Sequence, residues 1–267
     1  MTAKKTAACK KISGTKEWAP HNLNISIGCS HNCLYCYAAA DADRRKLKER
    51  SEWACEKLTK KAEMASFPVK HDGRIMFPST HDITPGILEA AVKVLKVVIA
   101  AGNEVLIVTK PHLMVVDRLV KEFANPNRRD EIEFRFTIGS LSPTLSKFWE
   151  PGAPLPEERI AALKLAHAAG YKTSVSMEPL LGGIDTATAV VAAVQEYVTE
   201  TIWIGMMNKI HSRVRSTSVE KLHMVNALEQ RQTDAEILQI YEAFQNNPMV
   251  LWKDSICDVL RKYDVNK

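Results

Sequence analysis

The chain has 267 residues, 46% of them hydrophobic, and carries 36 Lys plus Arg against 31 Asp plus Glu for a formal charge of +5. That length and apolar content allow one main domain with a large core, and six cysteines in so long a chain exclude the dense disulfide framework of a small secreted protein. No apolar run is long enough to span a bilayer and the Lys-rich start lacks the apolar centre of a signal peptide, so the expected setting is a reducing cytoplasm without a membrane partner.

Residues 1–20 lack periodicity, end at Pro20 and carry Lys4, Lys5, Lys10, Lys11 and Lys16, which reads as a loose basic arm. Asn22 to Gly28 alternates polar and apolar residues as a strand does and runs straight into Cys29-Ser30-His31-Asn32-Cys33-Leu34-Tyr35-Cys36-Tyr37. From Ala38 to about Met64 the chain is rich in Ala, Lys, Arg and Glu, which predicts a long helix with Cys55 as a small hydrophobe inside it. Arg74 to Ser79 is a second strand with Pro78 at its end, and Thr84 and Pro85 open a helix that Gly102 closes. Strands follow at Glu104 to Thr109, Glu133 to Ser140, Lys172 to Met177 and Thr201 to Met206, with helices at Leu113 to Phe123, Pro156 to Ala169 and Thr186 to Val198. The tail adds a helix after Ser218, another after the capping box Thr233 to Glu236, a short strand candidate from Met249 to Trp252 and a last helix from Ser255. Six strands alternating with helices imply an α/β fold with a parallel sheet: a partial (β/α)6 TIM-type barrel over 21–210 and a mostly helical C-terminal extension, 211–267, packing on it.

Three cysteines in a C-x3-C-x2-C spacing put three soft sulfur ligands on one loop, a set that suits an iron–sulfur cluster, zinc or copper(I). A cubane cluster takes four cysteines, so a lone triplet leaves one iron open to a ligand from elsewhere. A structural zinc would instead need a fourth ligand such as His31. In a βα barrel the strand C-termini converge on one face. That face would collect Ser79, Thr80, His81 and Asp82, then Thr109 and Lys110, Ser140, Glu178, Asn208 and Lys209. Asp82 reads as a turn or cap residue for the helix at Thr84, and Met177, Met206 and Met207 as packing. Basic runs at Arg44, Arg45, Lys46, Lys48 and Arg50 and at Lys209, His211, Arg213 and Arg215 are either solvated faces or a track for a phosphate backbone.

The cysteine loop, with aromatic Tyr35 before its last cysteine, resembles the cluster loop of the radical S-adenosylmethionine enzymes. The resemblance implies a [4Fe-4S] cluster on Cys29, Cys33 and Cys36 whose open iron chelates S-adenosylmethionine. An external electron donor of flavodoxin or ferredoxin type would drive its cleavage to a 5'-deoxyadenosyl radical. Lys110 and Ser140 suit the carboxylate of that cofactor, Glu178 its ribose or sulfonium, and Thr80 and His81 complete the expected cofactor contacts.

Tyrosines on both sides of the last cysteine (Tyr35, Tyr37), Thr109-Lys110, and Glu150, Pro151, Ala153, Pro154 and Arg159 are similar to the spore photoproduct lyase-like, or DNA-repair-photolyase-like, group. That likeness makes Tyr35, Tyr37 and Ser79 the expected catalytic positions. Lyases of the group carry a hydrogen-donor cysteine where Ser79 stands, in a Cys-Thr-x-Asp context matched here by Ser79-Thr80-His81-Asp82. A serine O–H is too strong a bond to replace it, so a donor thiol would have to come from Cys9, Cys55 or Cys257. The expected function is thus a radical enzyme of lyase-like type on a nucleic acid or nucleotide, with a small metabolite or a peptide as other substrates. A non-catalytic iron–sulfur protein for electron transfer or redox sensing is the rival class, and oligomeric state stays open.

Overall fold

The computed structural model describes residues 14–214 and 217–265, so Lys4, Lys5, Cys9, Lys10, Lys11 and Arg215 lie outside the described residues. In chain order the elements are β1 (His21–Asn22), β2 (Ser26–Ile27), α1 (Tyr37–Arg44), β3 (Lys57–Leu58), β4 (Ile75–Phe77), α2 (Leu88–Ala100), β5 (Val105–Thr109) and α3 (Leu113–Glu122). Next come β6 (Ile132–Thr137), α4 (Pro143–Trp149), α5 (Pro156–Ala168), β7 (Lys172–Met177), α6 (Ile184–Val194) and β8 (Ile202–Ile204). The chain finishes with α7 (Ile210–Arg213), α8 (Val219–Gln230), α9 (Asp234–Phe244), β9 (Val250–Trp252) and α10 (Asp254–Lys262). Seven strands make one sheet in the order β1, β4, β5, β6, β7, β8, β9, with every neighbouring pair parallel. With helices on its outer side this is a partial barrel.

The side-chain period of two divides each strand between two environments. On β6, Phe134 and Phe136 join the main core with Leu119, Leu163 and Ala166, while Arg135 stacks on Trp18 and Trp203 inside the curve of the sheet. Val105, Leu106 and Ile107 of β5 are all buried, as a strand covered on both faces requires. Gly102 ends the α2 turn at φ +82, a conformation that favours glycine.

Four local expectations are revised. The sheet has a seventh strand, because the short run ending at Trp252 pairs alongside β8 from Ile202–Val250 to Ile204–Trp252. The alternation from Asn22 to Gly28 is divided between β1 and β2: the Asn24 side-chain oxygen accepts the N–H groups of Ser79 and Thr80 at 2.7 and 2.9 Å, and β2 pairs antiparallel with β3 instead. A helix at Pro143–Trp149 stands where none was expected, capped by the Ser142 hydroxyl.

The long helix expected to Met64 stops at Arg44, and Lys46 takes a left-handed conformation (φ 56). Residues 45–58 then wrap over the cysteine loop, where specific hydrogen bonds override helix propensity. Trp53 O accepts the Cys29 N–H at 2.8 Å, Glu56 accepts the Ser30 N–H at 3.0 Å, and Arg50 donates to the carbonyls of Asn32 and Cys33 at 3.3 and 3.0 Å. Glu56 also takes the Thr84 hydroxyl at 2.7 Å, so Thr84 holds the N-cap position of its helix without capping it through its side chain. On the opposite flank Ile210, Val214, Val225 and Leu228 pack with Cys33, Tyr35 and Trp149, so α7 and α8 cover the loop from the other side.

Candidate active site

A cavity of about 590 Å³ opens at the C-terminal ends of the strands, within the size range of small-molecule sites. Its wall includes Cys29, Cys33 and Cys36 together with Tyr35, Tyr37, Ser79, Thr80, His81, Lys110 and Glu178. Of the residues expected at the site, Ser140 alone is absent from the wall; it is buried and its hydroxyl accepts the Ser142 N–H at 3.0 Å.

All three loop cysteines are free thiols, Cys29 and Cys33 buried and Cys36 half-buried. The loop can turn this tightly because Gly28 sits at φ +101 with Trp53 O and Cys55 O closing over it, where a Cβ would meet an oxygen at 2.3 Å. A Cβ at Gly152 would meet Ser30 O at 2.1 Å, so a second backbone seals the loop from outside. Burial pushes the Cys33 thiol up to about 12, against the pull of Lys110, and raises Cys29 as well. Three sulfurs on one loop, with no fourth cysteine on the wall among the described residues, fit a cluster that keeps one iron open. His31, the fourth ligand a zinc site would need, faces Asp82 with Nδ1 (3.2 Å) and His112 with Nε2 (3.1 Å).

Two buried carboxylates anchor this end. Asp82 accepts the Thr109 hydroxyl, the Lys110 N–H at 2.8 Å and the Ile83 N–H at 2.8 Å. Burial raises its carboxyl, but His31, Lys110 and Thr109 outweigh burial and hold it well below the usual carboxylate range. Glu150 accepts the Tyr35 hydroxyl and pairs with Arg159 at 2.5 Å, and Arg159 also donates to Thr137 O at the end of β6 (3.1 Å). Burial raises Glu150, and Arg159 and Lys110 together bring it below its ordinary value. Lys110 lies between these carboxylates, over the Tyr35 ring at 5.6 Å, yet its ammonium makes no hydrogen bond or ion pair among the described residues.

The opposite wall centres on Lys253. Its ammonium, almost fully buried, donates to Gly14 O at 3.0 Å, lies 3.2 Å from Glu17 and 3.4 Å from Glu178, and sits 4.5 Å over the Trp18 ring. Burial raises Glu178 above its ordinary value while Lys253 pulls it back. Trp18 packs against Met76, Leu106 and Trp203 inside the sheet, forming the floor.

The remaining candidates are held by local bonds. Tyr37 donates to Ser79 O at 2.6 Å, and the Ser79 hydroxyl accepts from Asn24 at 2.9 Å. His81 accepts the Ile25 N–H with Nε2 (3.0 Å) and points Nδ1 at Asp82 O (2.9 Å), an arrangement that fits the neutral ring favoured by its burial. Cys55 is exposed and Cys257 buried, and neither lines the cavity; Cys9 lies outside the described residues. The sequence placed Asp82 on the strand-end face but read it as a turn or cap residue, offered Glu150 and Arg159 without a partner, and carried no signal for His112 or Lys253. A lysine between Trp252 and Asp254 carries no pattern that could have pointed to it.

Comparison with known proteins bears on the family and the fold. The uncharacterized protein ORF301 of Acidianus two-tailed virus is 28% identical over 181 residues, 61% of this chain and 56% of its own length. The uncharacterized protein MJ0683 of Methanocaldococcus jannaschii is 30% identical over 186 residues, 68% of this chain and 66% of its own. The match thus spans less than two thirds of either relative. SuiB of Streptococcus suis bound to S-adenosylmethionine shares the fold with a TM-score of 0.53 at 13% identity, over 91% of this chain and 51% of SuiB. A spore photoproduct lyase variant with dinucleoside spore photoproduct does so with a TM-score of 0.53 at 16% identity, over 93% and 79%. Among the described residues no helix is long and apolar enough to cross a membrane. The model of the radical SAM superfamily matches residues 23–193, which take in the cysteine loop, Asp82, Lys110 and Glu150, and this chain belongs to that superfamily.

Proposed function

We propose that the chain is an enzyme that reductively cleaves S-adenosylmethionine at a [4Fe-4S] cluster held by Cys29, Cys33 and Cys36, and that it acts on a nucleotide or nucleic acid in the manner of the lyase-like group. The observation that carries the reading is one cavity that combines three free thiols with Lys110, whose ammonium has no hydrogen bond or ion pair among the described residues. When bound, the cluster and S-adenosylmethionine supply a 5'-deoxyadenosyl radical. The chain's own residues bind and orient. Lys110 offers its ammonium to the cofactor carboxylate, Thr80 a hydroxyl, and Glu178, steadied by Lys253, an acceptor for the ribose. Tyr35 is fixed by Glu150 and Tyr37 by Ser79, so both rings stand at set angles on the wall.

The fold neighbours do not choose the substrate, since one binds a dinucleoside and another, SuiB, a precursor peptide. Cationic Lys209 and Arg213 on the cavity wall favour the nucleotide. With Ser79 at the end of β4 and no thiol beyond the cluster cysteines on the wall among the described residues, the hydrogen atom that quenches a product radical comes from Cys9, which lies outside them, or from a donor such as the cofactor product or a tyrosine.

The test is anaerobic: reconstitute the cluster, add dithionite and S-adenosylmethionine with and without a thymine dinucleotide, and quantify 5'-deoxyadenosine in the protein and in a Cys29→Ala/Cys33→Ala/Cys36→Ala variant. Formation in the first, loss in the second and stimulation by the dinucleotide is the expected result. A protein that loads four irons, reduces cleanly and makes none is an electron-transfer protein instead.

A further inference from the structure

Resting on the radical reading above, which requires an electron from outside, we propose that the turn after α1, Arg44 to Lys48, is the docking face for an acidic one-electron carrier protein. One electron leaves the carrier for the cluster, the carrier is oxidised by that one electron, and no atom is exchanged.

The turn is connected to the cysteine loop at both ends. Helix α1 begins on Cys36, whose sulfur accepts the Ala39 N–H at 3.4 Å, and runs eight residues, roughly 12 Å, to Arg44. Immediately after the turn Arg50 returns and donates to the carbonyls of Asn32 and Cys33. The outer face is cationic with an apolar centre: Leu47 is 67% exposed, and Arg44, Arg45 and Lys46 are exposed around it. Residues 41–50 hold five cations against three carboxylates, and Arg44 and Arg45 share the single carboxylate of Asp41. Lys46 and Lys48 have no ion pair among the described residues. Electron-transfer encounters use small interfaces of this kind, steered by charge and sealed by a little apolar contact.

Position separates this face from the substrate. No residue from 41 to 50 lines the cavity, so a carrier at the turn and a substrate in the cavity can be present together.

The experiment compares the unaltered protein with Lys46→Glu/Lys48→Glu, with the milder Lys46→Gln/Lys48→Gln, and with Lys93→Glu on α2 as a remote control. Reduced flavodoxin is the acidic carrier and photoreduced deazariboflavin the uncharged reductant. Affinity for flavodoxin is measured by surface plasmon resonance on cluster-free and cluster-loaded protein, and cluster reduction by stopped-flow absorbance. Charge reversal is expected to weaken flavodoxin binding and slow reduction by it about tenfold or more at low salt, with the neutral pair giving a smaller effect in the same direction. Deazariboflavin should reduce every variant at the same rate, and Lys93→Glu should match the unaltered protein. Flavodoxin binding unchanged in Lys46→Glu/Lys48→Glu overturns the proposal, as does loss of binding to a short single-stranded oligonucleotide with flavodoxin reduction intact. Failure of the unaltered protein to form a cluster that deazariboflavin reduces is a different result: it removes the radical reading itself, and the docking face with it.

Discussion

Two lysines, Lys253 buried and Lys110 half-buried, face one cavity in opposite states of pairing. Lys253 is enclosed by protein acceptors, with Glu17, Glu178 and Gly14 O around its ammonium and Trp18 beneath it. Lys110 has two carboxylates nearby as well, but Asp82 is already engaged by Thr109, backbone N–H groups and His31, and Glu150 by the Tyr35 hydroxyl and the Arg159 ion pair. The same residue type is therefore structural where the carboxylates around it are otherwise unpaired and available to a ligand where they are already paired. Charge balance alone does not distinguish the two; the hydrogen-bond inventory does.

The largest separation between them should come from Lys253→Met. It leaves two half-buried carboxylates without their cation, which costs on the order of 2–3 kcal/mol and lowers Tm by about 8 °C. Affinity for S-adenosylmethionine, measured by calorimetry well below that Tm, should fall only about threefold to tenfold, through the loosened Glu178, because the cluster end is independently anchored. An equal loss of both would merge the two lysines into one site. Lys110→Met should give the reverse: Kd for S-adenosylmethionine rises about tenfold to a hundredfold through loss of a charge-assisted contact, with a smaller fall in Tm because Asp82 and Glu150 keep their other partners.

A third effect is smaller and depends on pH. Burial already holds Glu17 and Glu178 above the ordinary carboxylate value, and Lys253 opposes that shift. A carboxylate raised in the folded state binds more protons folded than unfolded, so its contribution to stability grows as pH falls and is lost as pH rises through the folded value. Without Lys253 the rise is greater. The Tm deficit of Lys253→Met should narrow on going from pH 8 to pH 6 in parallel thermal melts, and a deficit that widens would show that the clasp is not electrostatic. Ser140→Ala should do least, leaving the Kd for S-adenosylmethionine within about twofold, because its hydroxyl is engaged by the Ser142 N–H outside the cavity wall.

The legibility of the sequence follows the same division. Runs such as Glu104 to Thr109 and the entry and exit signals Pro85 and Gly102 report local physics, and β5 and α2 stand where they point. The cysteine spacing is local too. What could not be read was long-range. Ala38 to Met64 has good helix formers throughout, yet the bonds of Arg50, Trp53 and Glu56 to the cysteine loop decide its course, and those partners lie outside any helical window. Asp82 resembles any acidic residue ahead of a helix until Thr109, Lys110 and His31 are brought to it by a neighbouring strand and loop. Lys253 is separated from Gly14 by nearly the whole chain, and no periodicity spans such an interval.

That last pairing also sets an order of events during synthesis. The cysteine loop and the strands through β7 leave the ribosome well before Lys253 does, so the thiols can fold against their wrap while Glu17 and Trp18 still have no ammonium to close on. Until β8, the helices after it and β9 are made, Trp18 therefore lacks the cation that covers it in the finished chamber, and anything delivered to the thiols in that interval arrives before Lys253 closes on Glu17.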